Sequence, residues 1–276
     1  MKRFFKSVGL TTMFVFVFAV CMFAVGAVFS IFMPNIPADV NFMLIYFCSM
    51  ITIYGATLLI ERVAFKRVLP VYNSRHGFNP ISLLLGVVLI ISISIVLLPL
   101  EGVLSPDSRA FGDGPFTLIT VVLLAPIFEE MIFRARLYNI LSRNTSPLMS
   151  ASLSAVAFGA VHMEPIVVAE ALVVGVVFSY YYLSKRSIFA PVILHIFNNA
   201  IAYSLIVLSY RGESLRAIVG SGEMQLVVYV VAAAIVLCGA VVILRFFVKE
   251  KRRMRGVECQ DMETLAEHHD PDQLAE

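Results

Sequence analysis

Residues 115–138 read PFTLITVVLLAPIFEEMIFRARLY, fourteen uncharged residues followed by Glu129, Glu130, Arg134 and Arg136. A run of this length, apolar and nearly free of charge, suits a helix of roughly 20 residues crossing a bilayer. Its charged residues then become the question. A charged side chain near mid-membrane costs roughly 2.5–3.5 kcal/mol on insertion scales, so each needs a partner or a function.

Similar runs recur near 8–33, 40–60, 81–100, 148–163, 165–184, 187–209 and 225–248. Of the 276 residues, 59% are hydrophobic and only 14% charged. A soluble domain cannot hide that much apolar side chain, because its surface would still need polar cover. No segment alternates as a membrane β-strand would. The expected fold is all-α, a polytopic bundle of about eight spans. It occupies residues 1–250. The short fifth run is rich in small residues (Ser150, Ala151, Ser154, Ala155, Ala157, Gly159), which lets helix backbones approach closely inside a bundle.

Basic residues alternate between loops. Lys2, Arg3 and Lys6 precede the first run. Arg62, Lys66, Arg67 and Arg75 follow the second, and Arg136 and Arg143 flank the fourth. Lys185 and Arg186 separate the sixth and seventh, and five cations from Lys249 to Arg255 follow the last. The opposite loops hold only Arg109, Arg211 and Arg216. The positive-inside rule then places both termini in the cytoplasm. The first run is too long for a signal-peptide core and is expected to remain as a helix. Residues 251–276 are polar, with seven acidic residues after Arg255, and read as a solvated, disordered tail. A net charge of +2 gives no reason to invoke nucleic acid. Cys21, Cys48, Cys238 and Cys259 lack metal-type spacing and are expected to be unpaired. The expected setting is a bacterial plasma membrane, with the lipid bilayer as the surroundings.

Four places inside apolar runs stand out, and the first three each have a structural alternative: a Glu–Arg pair, a histidine at a helix end, and polar side chains that join helices. Glu130 and Arg134 share a helix face at i,i+4 and can pair. Glu129 points about 100° away from Glu130, so one carboxylate is neutralised and the other is free for general-base work in a cavity. Phe158 and His162 share a face, as do His195 and Asn199, with Asn198 beside them. The two histidines of the apolar runs are thus placed beside an acid and an amide. Helix rise puts Glu129 and His195 at similar depths and His162 deeper, a difference that a tilted or shifted fifth helix would close. Glu170 reads either as a cavity residue or as a carboxylate reaching the interface, and Glu164 as interfacial.

These residues form Glu129-Glu130-x-x-x-Arg134, Phe158-x-x-x-His162 and His195-x-x-x-Asn199. They resemble the EExxxR, FxxxH and HxxxN motifs of the CAAX prenyl protease and bacteriocin-processing (CPBP, or ABI) family of intramembrane glutamic endopeptidases. The resemblance covers about residues 115–205, which it implies is the catalytic core. It implies that Glu129 and His162 activate a water, that His195 and Asn199 form an oxyanion hole, and that Glu130, Arg134, Asn198 and Phe158 support them. The substrate it implies is a membrane-associated peptide or protein. Met163-Glu164 departs from the Leu or Pro common after the second motif.

Rival readings remain at this point. Two histidines and a glutamate could hold catalytic zinc, although no HExxH motif is present and Asn199 has no task there. Otherwise no metal or cofactor is implied. A non-catalytic immunity or binding protein of the same fold is a second rival. A proton-coupled transporter is a third, weakened by the lack of an internal repeat. Oligomeric state is not legible.

Overall fold

The computed structural model describes residues 2–74, 79–101, 114–162, 164–210 and 222–267. Arg75, His76, Arg109, Met163, Arg211, Arg216 and the tail from His268 lie outside the described residues. Eight rods make up the described fold. They are α1 (Lys2–Phe32), α2 (Ala38–Phe65), α3 (Pro80–Glu101), α4 (Pro115–Leu141), α5 (Pro147–Ala160), α6 (Pro165–Lys185), α7 (Phe189–Tyr210) and α8 (Glu223–Glu267). All are helical, as expected. Six of them, α1, α2, α3, α4, α6 and α8, are long and apolar enough to cross a membrane. The fifth run is shorter than expected. Its helix stops at Ala160 after 14 residues, about 21 Å of rise against about 30 Å of hydrocarbon.

Helix starts follow local chemistry. Pro115, Pro147 and Pro165 open α4, α5 and α6, where a missing N–H costs nothing. The Asn79 side chain accepts from Ile81 and Ser82 N–H at the start of α3. Arg62, Lys66, Arg143 and the Lys249–Arg253 cluster keep their exposed, solvated character. Arg136 does not. It was counted among the flanking cations, yet it is buried against Glu61 of α2 (Arg136 Nη1 to Glu61 Oε2, 3.1 Å). The polar stretch after Glu250, expected to be disordered, carries α8 on as helix to Glu267. Lys, Arg, Glu and Met are good helix formers and extend a helix already nucleated upstream. Cys21, Cys48 and Cys238 are free thiols.

The C-terminal ends of α2, α4 and α6 and the middle of α8 meet. Asn139 of α4 donates to Pro70 O, and Tyr72 N–H donates to the Tyr182 hydroxyl of α6. Asn73 and Ser187 form an antiparallel bridge, and Arg186 pairs with Glu250 of α8 at 2.7 Å.

Two apolar cores flank α4 and α5. One gathers Phe14, Phe18, Tyr46, Met50, Ile53, Phe133 and Phe158 from α1, α2, α4 and α5. The other gathers Ile90, Val177, Phe178, Tyr182, Leu194 and Phe247 from α3, α6, α7 and α8. The outer faces of α1, α2 and α8 expose large apolar side chains such as Phe23, Val63 and Leu237, surface that only lipid or another chain can cover.

The small residues of α5 serve close packing, as read from the sequence. A Cβ on Gly175 of α6 would stand 2.8 Å from Ala155 Cβ and 3.1 Å from Ala155 Cα. Gly175→Ala is therefore expected to destabilise by about 1–3 kcal/mol through overpacking. A lower thermal unfolding midpoint of the purified protein checks this, and an unchanged midpoint would show that α5 and α6 can separate freely.

Candidate active site

The helix that bears Glu129 and Glu130 is not uniform. Thr120–Leu124 and Phe133–Tyr138 are π-helical, and they bracket the α-helical Ala125–Ile132. Pro126 sits just after the first π turn. It lacks an N–H and crowds the carbonyl four residues back, so the preceding turn widens. Ala125 N–H reaches Thr120 O, five residues away. Neighbouring helices use the altered backbone. Asn199 Nδ2 donates to Val121 O at 2.9 Å, and Ser154 Oγ donates to Phe133 O at 2.8 Å.

Glu130 and Arg134 are fully buried, and Arg134 Nη1 donates to Glu130 Oε1 at 2.9 Å. This is the i,i+4 pair that the spacing implies. Arg134 Nη2 donates to Gly175 O at 3.3 Å. The guanidinium lies between two aromatic rings, 4.4 Å from the centroid of Phe158 and 5.2 Å from that of Phe178. One ring comes from each core, so the cation joins the two halves of the bundle.

His195 of α7 stands against both carboxylates. Its Nδ1 is 2.9 Å from Glu130 Oε1, and its Nε2 is 3.6 Å from Glu129 Oε2. Phe178 stacks on the imidazole at 4.8 Å, and Phe158 meets it edge-on at 5.6 Å. The ring is thereby fixed in plane and direction. Glu130, expected to support the site with Arg134, also orients His195.

Glu129 differs from its neighbour. It is 8% exposed, and among the described residues it makes no hydrogen bond or ion pair with a guanidinium, whereas Arg134 donates to Glu130. Its Oε1 accepts from the Tyr46 hydroxyl of α2 at 2.6 Å. Tyr46 was not singled out from the sequence, because nothing in its surroundings on α2 distinguishes it from Tyr54.

His162 follows the end of α5. Its N–H reaches Gly159 O at 3.0 Å, and its Nδ1 lies 2.7 Å from Phe158 O. A carbonyl can only accept, so Nδ1 carries a proton, and in the neutral ring Nε2 presents a lone pair. The ring meets Phe158 edge-on at 4.9 Å. Phe158 therefore touches His162, His195 and Arg134 together. Among the described residues His162 makes no hydrogen bond or ion pair with Glu129. The chain turns His162 back onto Phe158 beyond the helix, which bears on the depth difference noted above.

Asn199 lies one turn beyond His195. One amide N–H is held by Val121 O, and its Oδ1 accepts from Asn198 Nδ2 at 3.3 Å. The amide is thus fixed, with its second N–H available. Glu170 lies apart from this cluster, where Ser94 Oγ of α3 donates to its Oε1 at 2.5 Å. Glu61 is a further buried carboxylate that the sequence reading missed. It sits at the end of the second apolar run, beside Arg62, where an interfacial position was the simpler expectation. It accepts from Leu69 N–H as well as from Arg136.

Among the described residues no three His, Cys, Asp or Glu side chains are grouped as metal ligands. His195 and His162 each engage an acceptor through Nδ1, a carboxylate and a carbonyl respectively, which fixes the direction in which each Nε2 points.

Residues 112–201 match a family model described as Type II CAAX prenyl endopeptidase Rce1-like. All three motifs fall inside that segment, so the resemblance they carried to the CPBP family stands there. No curated protein and no solved structure matches the chain. The chain is a multi-pass membrane protein with a CAAX-protease-like central segment.

Proposed function

We propose that this protein is an intramembrane endopeptidase that hydrolyses a peptide bond of a membrane-associated peptide or protein. The reading is carried by one observation. Two carboxylates of α4 meet His195 of α7 in a buried cluster within the family-matched segment, and only one of them is paired with Arg134. Glu129 is the carboxylate with no guanidinium bonded to it among the described residues, and it acts as the general base.

The mechanism follows from the donors and acceptors. Glu129, helped by the Nε2 lone pair of His162, takes a proton from water as the oxygen attacks the substrate carbonyl. The tetrahedral oxyanion is met by His195 Nε2–H and the second N–H of Asn199. For Nε2 to donate while Nδ1–H is held by Glu130, the imidazole carries both protons, and the adjacent carboxylates balance its charge. The proton held by Glu129 then passes to the leaving amine, which restores the carboxylate. Phe158 and Phe178 hold the imidazole, and Asn198 holds the Asn199 amide.

Eight spans with both termini in the cytoplasm fit this reading, since the basic ends of α2, α4 and α6 and the basic middle of α8 gather on one side. A bacterial plasma membrane is the proposed setting. The family description names a CAAX prenyl substrate class, but nothing in the site of this chain selects a prenyl group. The substrate is proposed only as a membrane-associated polypeptide.

Comparative peptide analysis of membranes containing wild type or Glu129→Ala tests the proposal. Cleavage products should be present with the wild type and absent with the variant. Identical peptide profiles would sink the peptidase and leave the non-catalytic membrane-binding reading. Stoichiometric zinc in the purified protein, with chelator-sensitive hydrolysis, would replace the glutamate mechanism by a metal one.

A further inference from the structure

Two adjacent carboxylates on one helix could exchange tasks unless something outside the motif tells them apart. Arg134 and His195 Nδ1 claim Glu130. On Glu129 the corresponding claim comes from Tyr46, at the 2.6 Å separation of a charge-assisted O–H···O bond. Tyr46 lies on α2, outside the matched segment 112–201, and it is itself buried.

Its place is built rather than incidental. α2 and α4 run parallel and touch through a second polar rung. Tyr54 OH accepts from Arg136 Nη2 at 3.0 Å, and Arg136 also holds Glu61 and Leu69 O. From Tyr46 to Tyr54 is eight residues and from Glu129 to Arg136 seven, about 12 Å and 10.5 Å of helix rise. The two rungs therefore match in height and fix the register of α2 on α4, with Met50 and Ile53 buried in that stretch of α2. Phe42 leans on the Tyr46 ring at 6.1 Å, and Phe47 meets Phe128 edge-on at 5.6 Å, which restricts the swing of that side of the helix.

We propose that Tyr46 is a positioning residue for the general base. By occupying Oε1, its phenol turns Oε2 of Glu129 toward His195 and makes Oε2 the atom that takes the proton. This rests on the endopeptidase reading above, and it adds a residue from a helix with no family motif. A carboxylate left without this bond would rotate among side-chain conformers, and the fraction presented in reactive geometry would fall.

Tyr46→Phe removes only the hydroxyl. In the full-length protein, kcat should fall about 10–100-fold, with KM and the thermal unfolding midpoint close to the wild type. The same substitution in a Glu129→Asp background should change kcat less than about threefold, because a carboxylate withdrawn by one methylene has already lost the phenol. An unchanged kcat in Tyr46→Phe, or an equal drop in both backgrounds, overturns the proposal. A readout free of turnover is the infrared carboxylate band that vanishes in Glu129→Gln. It should shift in Tyr46→Phe, and an unshifted band also overturns the proposal. Full wild-type hydrolysis by Glu129→Gln is a different failure, since it removes the peptidase reading itself, and with it the base that Tyr46 positions.

Discussion

Glu129→Gln is expected to lower kcat by about a thousandfold, while KM and the thermal unfolding midpoint stay near their wild-type values. A positioned general base contributes about 10²–10⁴ to rate, and the amide cannot accept the proton of the attacking water. The substitution preserves shape and keeps an oxygen to accept from the Tyr46 hydroxyl, so the packing of α2 on α4 survives. It also removes one of two negative charges that face the same imidazole, while Glu130 keeps its hold on Nδ1. Loss of rate without loss of binding is the signature of an interaction made only in the transition state. Initial rates with a reporter peptide anchored to liposomes measure it. A rate within twofold of the wild type would place the base elsewhere, and no other described carboxylate of α4 is free of a guanidinium.

The parts of this site that were legible in the sequence are the local ones. Glu130 with Arg134 is a spacing within one helix, and spacing alone fixes which side chains share a face. The same holds for His195 with Asn199. Small residues on α5 announce close packing, and Ala155 against Gly175 supplies it. The contacts that differentiate the two glutamates are not local. Tyr46 lies 83 residues from Glu129, and Glu61 lies 75 residues from Arg136. In each case composition offers a cheaper explanation, an aromatic in a lipid-embedded helix or charges at a span end. Helix periodicity also assumes a constant rise and turn. The π turns on both sides of Ala125–Ile132 break that assumption, and they put Val121 O within reach of Asn199, a meeting that an ideal wheel does not anticipate. His162 escapes a wheel for a related reason, since it lies beyond the last α turn of its own helix.

The largest effect on stability is expected at Arg134. Arg134→Met keeps much of the side-chain volume between Phe158 and Phe178, but it strands the carboxylate of Glu130 in the interior. Breaking a buried pair from one side costs about 3–5 kcal/mol, because Glu130 is then shut off from water with only the Nδ1–H of His195 left to meet it. Glu130→Gln with Arg134→Met removes both charges and should recover most of the lost thermal midpoint, so the two substitutions are strongly non-additive. Stability and activity should then part. In the double variant the imidazole of His195 faces an amide in place of a carboxylate at Nδ1, so the ring is held less firmly and its Nε2–H is aimed less well at an oxyanion. Hydrolysis should remain at least tenfold below wild type in a protein that is folded and nearly as stable, since one oxyanion donor is worth about 10²–10³ in kcat when removed outright. Thermal unfolding of the two single variants and the double variant, read beside initial rates, measures both quantities. Additive destabilisation would show that the pair is solvated rather than buried. Full activity in the double variant would show that Glu130 only balances Arg134 and has no part in setting His195.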